Sequence, residues 1–411
     1  MLNRPTLAGI LCASLVFVGS NAAALFISNT VTLQSTTITV GSITPPPPPP
    51  SGTPQVRLFA LADNELQQKN PQKNLGTHDE ANVTSKVGRN THLIARFDLA
   101  ALPPGSTLTS CQLGLYMNQA PSFESRQHGA FRLSTNETTW NEGLQMNSTA
   151  LPTESSWQWF ARPSAWTTAG GDMALLPTAT IQTGLIDGVW QAWDVSSDCS
   201  AQALRSWGIR DLASNSALDR TAEYETRESD SYDKRPYLGV DFTSGPFTTN
   251  HIVINEVFTA TTSATHGNSR DNEWVELYNP TGAAVNLAGW QLCETEDCTS
   301  IPAGTTIAAQ GYLVLTSHAS TWQHWTIPVA SQVVLGERIG GDNMDDDGDR
   351  VILKNAAGTT IDAMSYEEDT SVFNPSVPGA DRDWSMQRVV AGYDTDQATN
   401  FWTNPTPTPG L

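Results

Sequence analysis

At 411 residues the chain is long enough for two ordinary domains, and 39% hydrophobic residues allow packed cores. Only 16% of residues are charged, while Thr, Ser, Gly, Asn and Pro abound beside 13 Trp, a composition of short strands and many turns rather than of helices. The net charge of −20, from 42 acidic against 22 basic residues, excludes nucleic acid and anionic lipid as partners, because both need clustered Lys and Arg.

In chain order, Arg4 precedes an uncharged apolar stretch from Leu7 to Val18, and Ala22, Ala23 and Ala24 then offer a small-residue cleavage site. Residues 1–29 therefore read as a secretory signal. Apolar residues resume through Phe26 and Ile27, so an uncleaved anchor is the alternative and the only route to a membrane, although the apolar core is short for a span. Residues 30–54 are a Thr-rich stretch followed by "PPPPPPSGTP", a stiff polyproline spacer.

The segment 55–243 is strand-rich. "VRLFAL", "HLIARFDL", "TLTSCQLGLYM", "VWQAWDV" and "YLGVDF" alternate or are β-branched and aromatic, with Pro/Gly turns between them. One stretch, 196–207 ("SSDCSAQALRSW"), reads as a helix capped by Ser197 or Asp198. A boundary falls at "TSGPFTTN" (243–250). Beyond it, 250–404 carries "HIVINEVF", "EWVELYNP", "GYLVL" and the hairpin "DRVILKNAAGTTIDAMSY", and 405–411 is a Pro-rich tail. Trp322 and Trp325, spaced i and i+3, predict a short helix packed on this second unit.

Excluding Cys12 in the leader, four cysteines remain, and the boundary leaves two on each side of it. The expected pairs are Cys111–Cys199 and Cys293–Cys298, in keeping with export.

Two resemblances emerge from the motifs. "KNLGTHDEANVTSKVGRNTHLIARFDLAALPPGSTLTSCQLGLYM", with "TTWNEG", "WTTAGGD", "WDVSSDC" and "YETRESDSYDKRPYLGVDF", resembles the DNRLRE-type, disaggregatase-related domains over 55–243. That resemblance implies a jelly-roll-like β-sandwich on a secreted or cell-surface protein that binds polysaccharide. The order "INEV", "EWVELYNP", "LAGW", "IPAG", "GYLVL", "GDRVIL", "DAMSY", "DTD" and "NF" resembles the lamin tail domain over roughly 250–410. It implies an immunoglobulin-like sandwich with no catalytic residues. The expected fold is thus all-β, two sandwiches after a leader and a Pro-rich linker.

Three groups of residues could carry function. Asp342, Asn343, Asp345, Asp347 and Asp349 supply the first half of a calcium loop, with Gly348 for the turn. Val351 and Lys354 stand where later ligands belong, so the site would need Asp342, Glu337 or 394–396 to complete it. The competing reading is a solvated hairpin tip, and no cofactor is required by anything else in the sequence. Trp157 and Trp159 are spaced as paired stacking platforms for sugar rings, or as core. Arg227, Glu228 and Arg235 could grip an anionic sugar through forked guanidinium contacts, or pin a loop.

Catalytic signatures such as G-x-S-x-G, H-E-x-x-H or a P-loop are absent from the sequence, and Glu225 with Glu228 is only a weak glycosidase pair. The reading is a non-catalytic protein, secreted or at the cell surface, that binds polysaccharide, a cell-surface protein, or both. A fibre subunit binding only protein and a polysaccharide-cleaving enzyme are the alternatives.

Overall fold

The computed structural model describes residues 55–213, 220–262, 265–295, 297–341 and 344–411, together with the backbone of 31–33 and 36–38. The leader and the polyproline spacer lie outside the described residues. Residues 1–45 and 46–411 are separate units. In the first, Val31–Leu33 and Thr36–Ile38 pair as an antiparallel hairpin.

In the second unit the fold is all-β, and the single α-helix among the described residues is the one-turn Ser269–Asn272. Two antiparallel sheets build the first sandwich. One runs Ala179–Gln182, Gln127–Arg132, Leu204–Asp211, Thr91–Asp98, Ala62–Gln67. The other runs Val56–Phe59, Tyr237–Thr243, Thr107–Gln119, Ala222–Glu225, Glu80–Val83, with Val189–Asp194 also on the long Thr107–Gln119 strand. Alternate residues of both sheets, including Leu93, Phe97, Leu113, Leu115, Trp193 and Trp207, meet in a dry core.

The helix expected at 196–207 does not form. Ser196–Asp198 is a single 3₁₀ turn, and Leu204–Asp211 is a strand paired on both edges. Position in the sheet decides this: Trp207 and Ile209 point into the core from a strand whose two neighbours need its backbone groups, and helix propensity is too weak to compete.

The second sandwich sets a six-stranded sheet against a four-stranded one. The larger runs Gln332–Val334, Tyr312–Thr316, Trp274–Tyr278, Val253–Phe258, Ser385–Arg388, Phe401–Asn404, and the smaller Cys298–Ser300, Gln291–Cys293, Arg350–Lys354, Thr360–Ser365. Val275, Leu277, Leu313 and Leu315 face Leu292, Val351, Leu353 and Met364 across the interior. The outer face of the larger sheet is also covered. Phe258 and Trp274 stack at 5.3 Å beneath Trp322, which lies within the short 3₁₀ segment Ala319–Gln323, and Trp325, which follows it. Farther along that face, Thr408 and Gly410 donate their backbone N–H groups to the buried Glu256 and Glu276.

Both disulfides, Cys111–Cys199 and Cys293–Cys298, are present, one in each sandwich. The sandwiches pack on one another: Val389, Val390 and Trp402 of the second join the apolar core of the first, and Phe247 meets Tyr393 edge-on. Among the described residues no helix is long and apolar enough to cross a membrane.

Candidate functional site

Where the two sandwiches meet, a crevice of about 350 Å³ opens, lined by Arg227, Glu228, Tyr232 and Arg235 from one and Glu367 from the other. Its first-sandwich wall follows strand Ala222–Glu225, where Thr226 accepts back onto the chain and the 3₁₀ turn Tyr232–Lys234 returns it to Tyr237–Thr243. Arg235 Nε donates to Ser229 O at 2.9 Å, and its guanidinium lies 3.8 Å over the Tyr232 ring. Opposed by Arg235 on one face, that ring sends its hydroxyl across the gap to Glu367 Oε1. Burial lifts the Glu367 carboxyl above the usual range.

Behind the crevice stands an acidic cluster. Carboxylate oxygens of Asp63, Glu142 and Glu228 lie within 4.8 Å of one another. Arg227 threads between them: Nη1 donates to Glu142 Oε2 at 2.7 Å and Glu228 Oε1 at 3.3 Å, and its backbone N–H donates to Asp63 Oδ2 at 2.7 Å. The Asp63 N–H in turn donates to Glu142 Oε1 at 2.6 Å. Burial, reinforced by the neighbouring carboxylates, pushes Asp63 well up and Glu228 up to about 7. A guanidinium already stands where a metal ion would sit, so this cluster fits a cation poorly. Glu225, the other carboxylate of the weak pair, is buried and lifted by burial.

The other predicted residues fall elsewhere. Trp157 and Trp159 are both buried, at 8% and 9% exposure. Trp157 packs on His92 and against Gly170, and Trp159 lies under the Arg162 guanidinium, so neither presents an open face to a sugar ring. Of the acidic stretch, Asp342 and Asn343 lie outside the described residues. Asp349 is buried and turned inward, its Oδ1 accepting from Thr295 N at 3.2 Å and Arg350 N at 2.7 Å. Asp345 and Asp347 are exposed and line a hollow of about 940 Å³ together with Glu273. Burial first, then the charges of Asp346 and Asp345, pushes Glu273 up to about 9. Glu337 does not line that hollow, and Asp394 is engaged with Arg388 and His251.

Sequence reasoning missed Asp63, Glu142, Tyr232, Glu367 and Glu273. Asp63 sits in strand Ala62–Gln67, whose "ADNELQ" looks like a solvated loop although five of its six residues are buried. Glu142 did lie within a quoted motif, "TTWNEG", and its Trp-Asn-Glu-Gly order was the usable signal.

Residues 246–368 match the family model of the Lamin Tail Domain, so the chain carries a lamin tail domain there, in the second sandwich. No curated protein matches the chain. A solved structure of the adhesin domain of Epf from Streptococcus pyogenes aligns at 7% identity over 77% of this chain and 97% of that one, with a TM-score of 0.12. A score that low carries no argument here.

Proposed function

We propose that the chain is an exported, non-catalytic adhesive protein in which the first sandwich, of DNRLRE type, holds a sugar residue of a polysaccharide at its border with the lamin tail domain. One observation carries this reading: Arg227, Arg235, Tyr232, Glu228 and Glu367 converge from both sandwiches on a single crevice. Guanidinium donors beside carboxylate acceptors match sugar hydroxyls, and Arg235 over Tyr232 suits the carboxylate of a uronic acid. The leader-like N-terminus and the two disulfides support export to an oxidising compartment.

The experiment is retention of the full chain on immobilised alginate- and pectin-type glycans, read together with the glycan's chain length. Retention that falls about tenfold in Arg235→Ala, with no new reducing ends, is the expected result. Equal retention of Arg235→Ala removes the crevice from the reading, and glycan shortening replaces it with an enzyme.

A further inference from the structure

We propose that the hollow of about 260 Å³ between the 67–70 and 86–89 turns of the first sandwich binds a tetrahedral oxyanion, as a sulfate ester or a phosphate group carries, through Thr84 and Thr91 on its floor and Lys69 and Arg89 at its rim. The site is separate from the crevice and independent of the uronic acid reading.

Two hydroxyls point to a ligand there. Thr84 and Thr91 face each other as a bridged antiparallel pair, each donating its backbone N–H to the other's carbonyl, at 3.3 and 3.1 Å. Residues paired in this way carry their side chains on the same face. Thr84 is only 6% exposed, and the Oγ1 atoms of both are buried with no hydrogen-bond partner among the described residues. Both residues line the hollow. A buried hydroxyl without a partner is costly, and here two stand side by side with their donors unspent.

Cations close the rim. Asn70 N donates to Gln67 O at 3.2 Å and Arg89 N to Lys86 O at 2.8 Å, which forms the two turns. Gln68 N then donates to Asn90 O at 2.9 Å, and Asn90 N to Gln68 Oε1 at 3.1 Å, so the turns lie side by side. That brings Lys69, Lys86 and Arg89 to one hollow, on a chain whose net charge is −20. Lys69 and Arg89 are exposed, and their side chains make no hydrogen bond or ion pair among the described residues. Like charges gathered in this way repel, and an anion between them removes that cost. The carboxylate that lines the hollow, Glu65, is buried and already engaged: Oε1 accepts from Gln67 Nε2 at 2.8 Å, and Oε2 from Asn82 N at 2.8 Å and Asn82 Nδ2 at 2.9 Å. It limits the depth, keeping an anion over the Thr pair and the rim. Hydroxyl donors from the floor and cationic donors from the rim meet oxygens that point in different directions, which a tetrahedral group offers and a planar carboxylate does not.

The test is retention of the full chain on immobilised dextran sulfate against plain dextran at fixed ionic strength, with calorimetric titration of sodium sulfate as a second readout. The expected result is retention on dextran sulfate alone, weakened about tenfold in Lys69→Ala/Arg89→Ala and about fivefold in Thr84→Val/Thr91→Val. Lys73→Ala, whose ammonium bonds Asn147 outside the hollow, and Arg235→Ala in the crevice should both be retained like the parent. Thr84→Val/Thr91→Val should melt no lower than the parent without the anion, since it removes two unpartnered hydroxyls. Should it fail to fold, the exposed Lys69→Ala/Arg89→Ala variant decides alone. The stronger competitor of sodium sulfate and sodium phosphate names the group, and saturable sulfate binding without retention assigns the free ion as the ligand. Equal displacement by acetate overturns the tetrahedral choice. Absence of both retention and sulfate binding, or a Lys69→Ala/Arg89→Ala variant equal to the parent, overturns the site.

Discussion

Tyr232 donates its hydroxyl to Glu367 across the border between the sandwiches, the one on a 3₁₀ turn of the first and the other just past strand Thr360–Ser365 of the second. The neighbouring Asp233 N–H donates to Asp381 Oδ2 at 2.9 Å, so the turn is fastened at two points. Around it Val389 and Trp402 supply the apolar part of the seam. The crevice exists only while this border is closed.

Loss of the hydroxyl should therefore loosen the border without disturbing either core. Tyr232→Phe is expected to cost about 1 kcal/mol, the net worth of a half-exposed hydrogen bond to a carboxylate. Gly379→Ala should do the same by another route, since a Cβ there would fall 1.5 Å from Glu367 Oε1 and push that side chain away. Denaturant unfolding checks the cost. Faster protease cutting at 244–250 in both variants checks that the border is what opened, and unchanged cutting would refute it.

The pair Glu256 and Glu276 makes stability fall as pH rises. The two sit directly opposite on paired strands and are 0% exposed. Burial pushes Glu256 up to about 7, and burial plus the charge of Glu256 pushes Glu276 up to about 8. An unfolded glutamate ionises near about 4.3, so between that pH and about 8 the native state holds protons the unfolded chain has lost. The contribution is complete below the unfolded value and is gone above about 8. Melting temperature should therefore drop from about pH 5 to pH 8, and Glu256→Gln/Glu276→Gln should drop less steeply. Glu228 titrates in the same direction, so the difference between parent and double variant is the quantity to read. Parallel curves would show that the pair is ionised in the folded chain.

The parts of the fold legible in the sequence were those whose burial follows hydrophobicity. Thr91–Asp98, Thr107–Gln119 and Tyr237–Thr243 announce themselves through alternating apolar residues, and the turn motifs place the second sandwich almost strand by strand. Ala62–Gln67 hides because Asp63, Asn64 and Glu65 are buried polar groups satisfied by partners far along the chain. The same cause hides half of the crevice. Arg227, Glu228 and Arg235 were visible as a charged run, whereas Glu367 in the crevice and Glu142 in the cluster behind it join them only through tertiary packing. Leu204–Asp211 was misread for the opposite reason, since "SAQALRSW" satisfies a helical pattern and only its two strand neighbours decide otherwise.

The two disulfides should differ in worth. Cys111 and Cys199 are 88 residues apart, and Cys293 and Cys298 only 5. Restricting the larger loop in the unfolded chain stabilises by about 4–5 kcal/mol in the chain-entropy account, against about 2 kcal/mol for the smaller. Cys111→Ala/Cys199→Ala should lower the denaturation midpoint more than Cys293→Ala/Cys298→Ala. The reverse order would mean that the short bridge holds native geometry rather than limiting the unfolded chain.

Arg388 provides the sharpest test of the second core. Its guanidinium is 1% exposed and donates to Asp362 Oδ2 at 2.7 Å, Ile254 O at 2.7 Å, Tyr393 O at 3.0 Å and Asp394 Oδ1 at 3.1 Å. Asp362, equally buried, also accepts from Ile254 N at 2.7 Å, so one ion pair ties strands Val253–Phe258, Thr360–Ser365 and Ser385–Arg388 together. Arg388→Met preserves much of the volume but strands the buried Asp362 with no cation, while Asp394 keeps His251, and should cost about 3–5 kcal/mol. Arg388→Met combined with Asp362→Asn removes the buried charge as well and should recover part of that loss. Denaturant unfolding of the single and double variants gives the coupling directly. Additive losses would mean that Asp362 is held by its backbone donor alone and that the guanidinium serves only to pack.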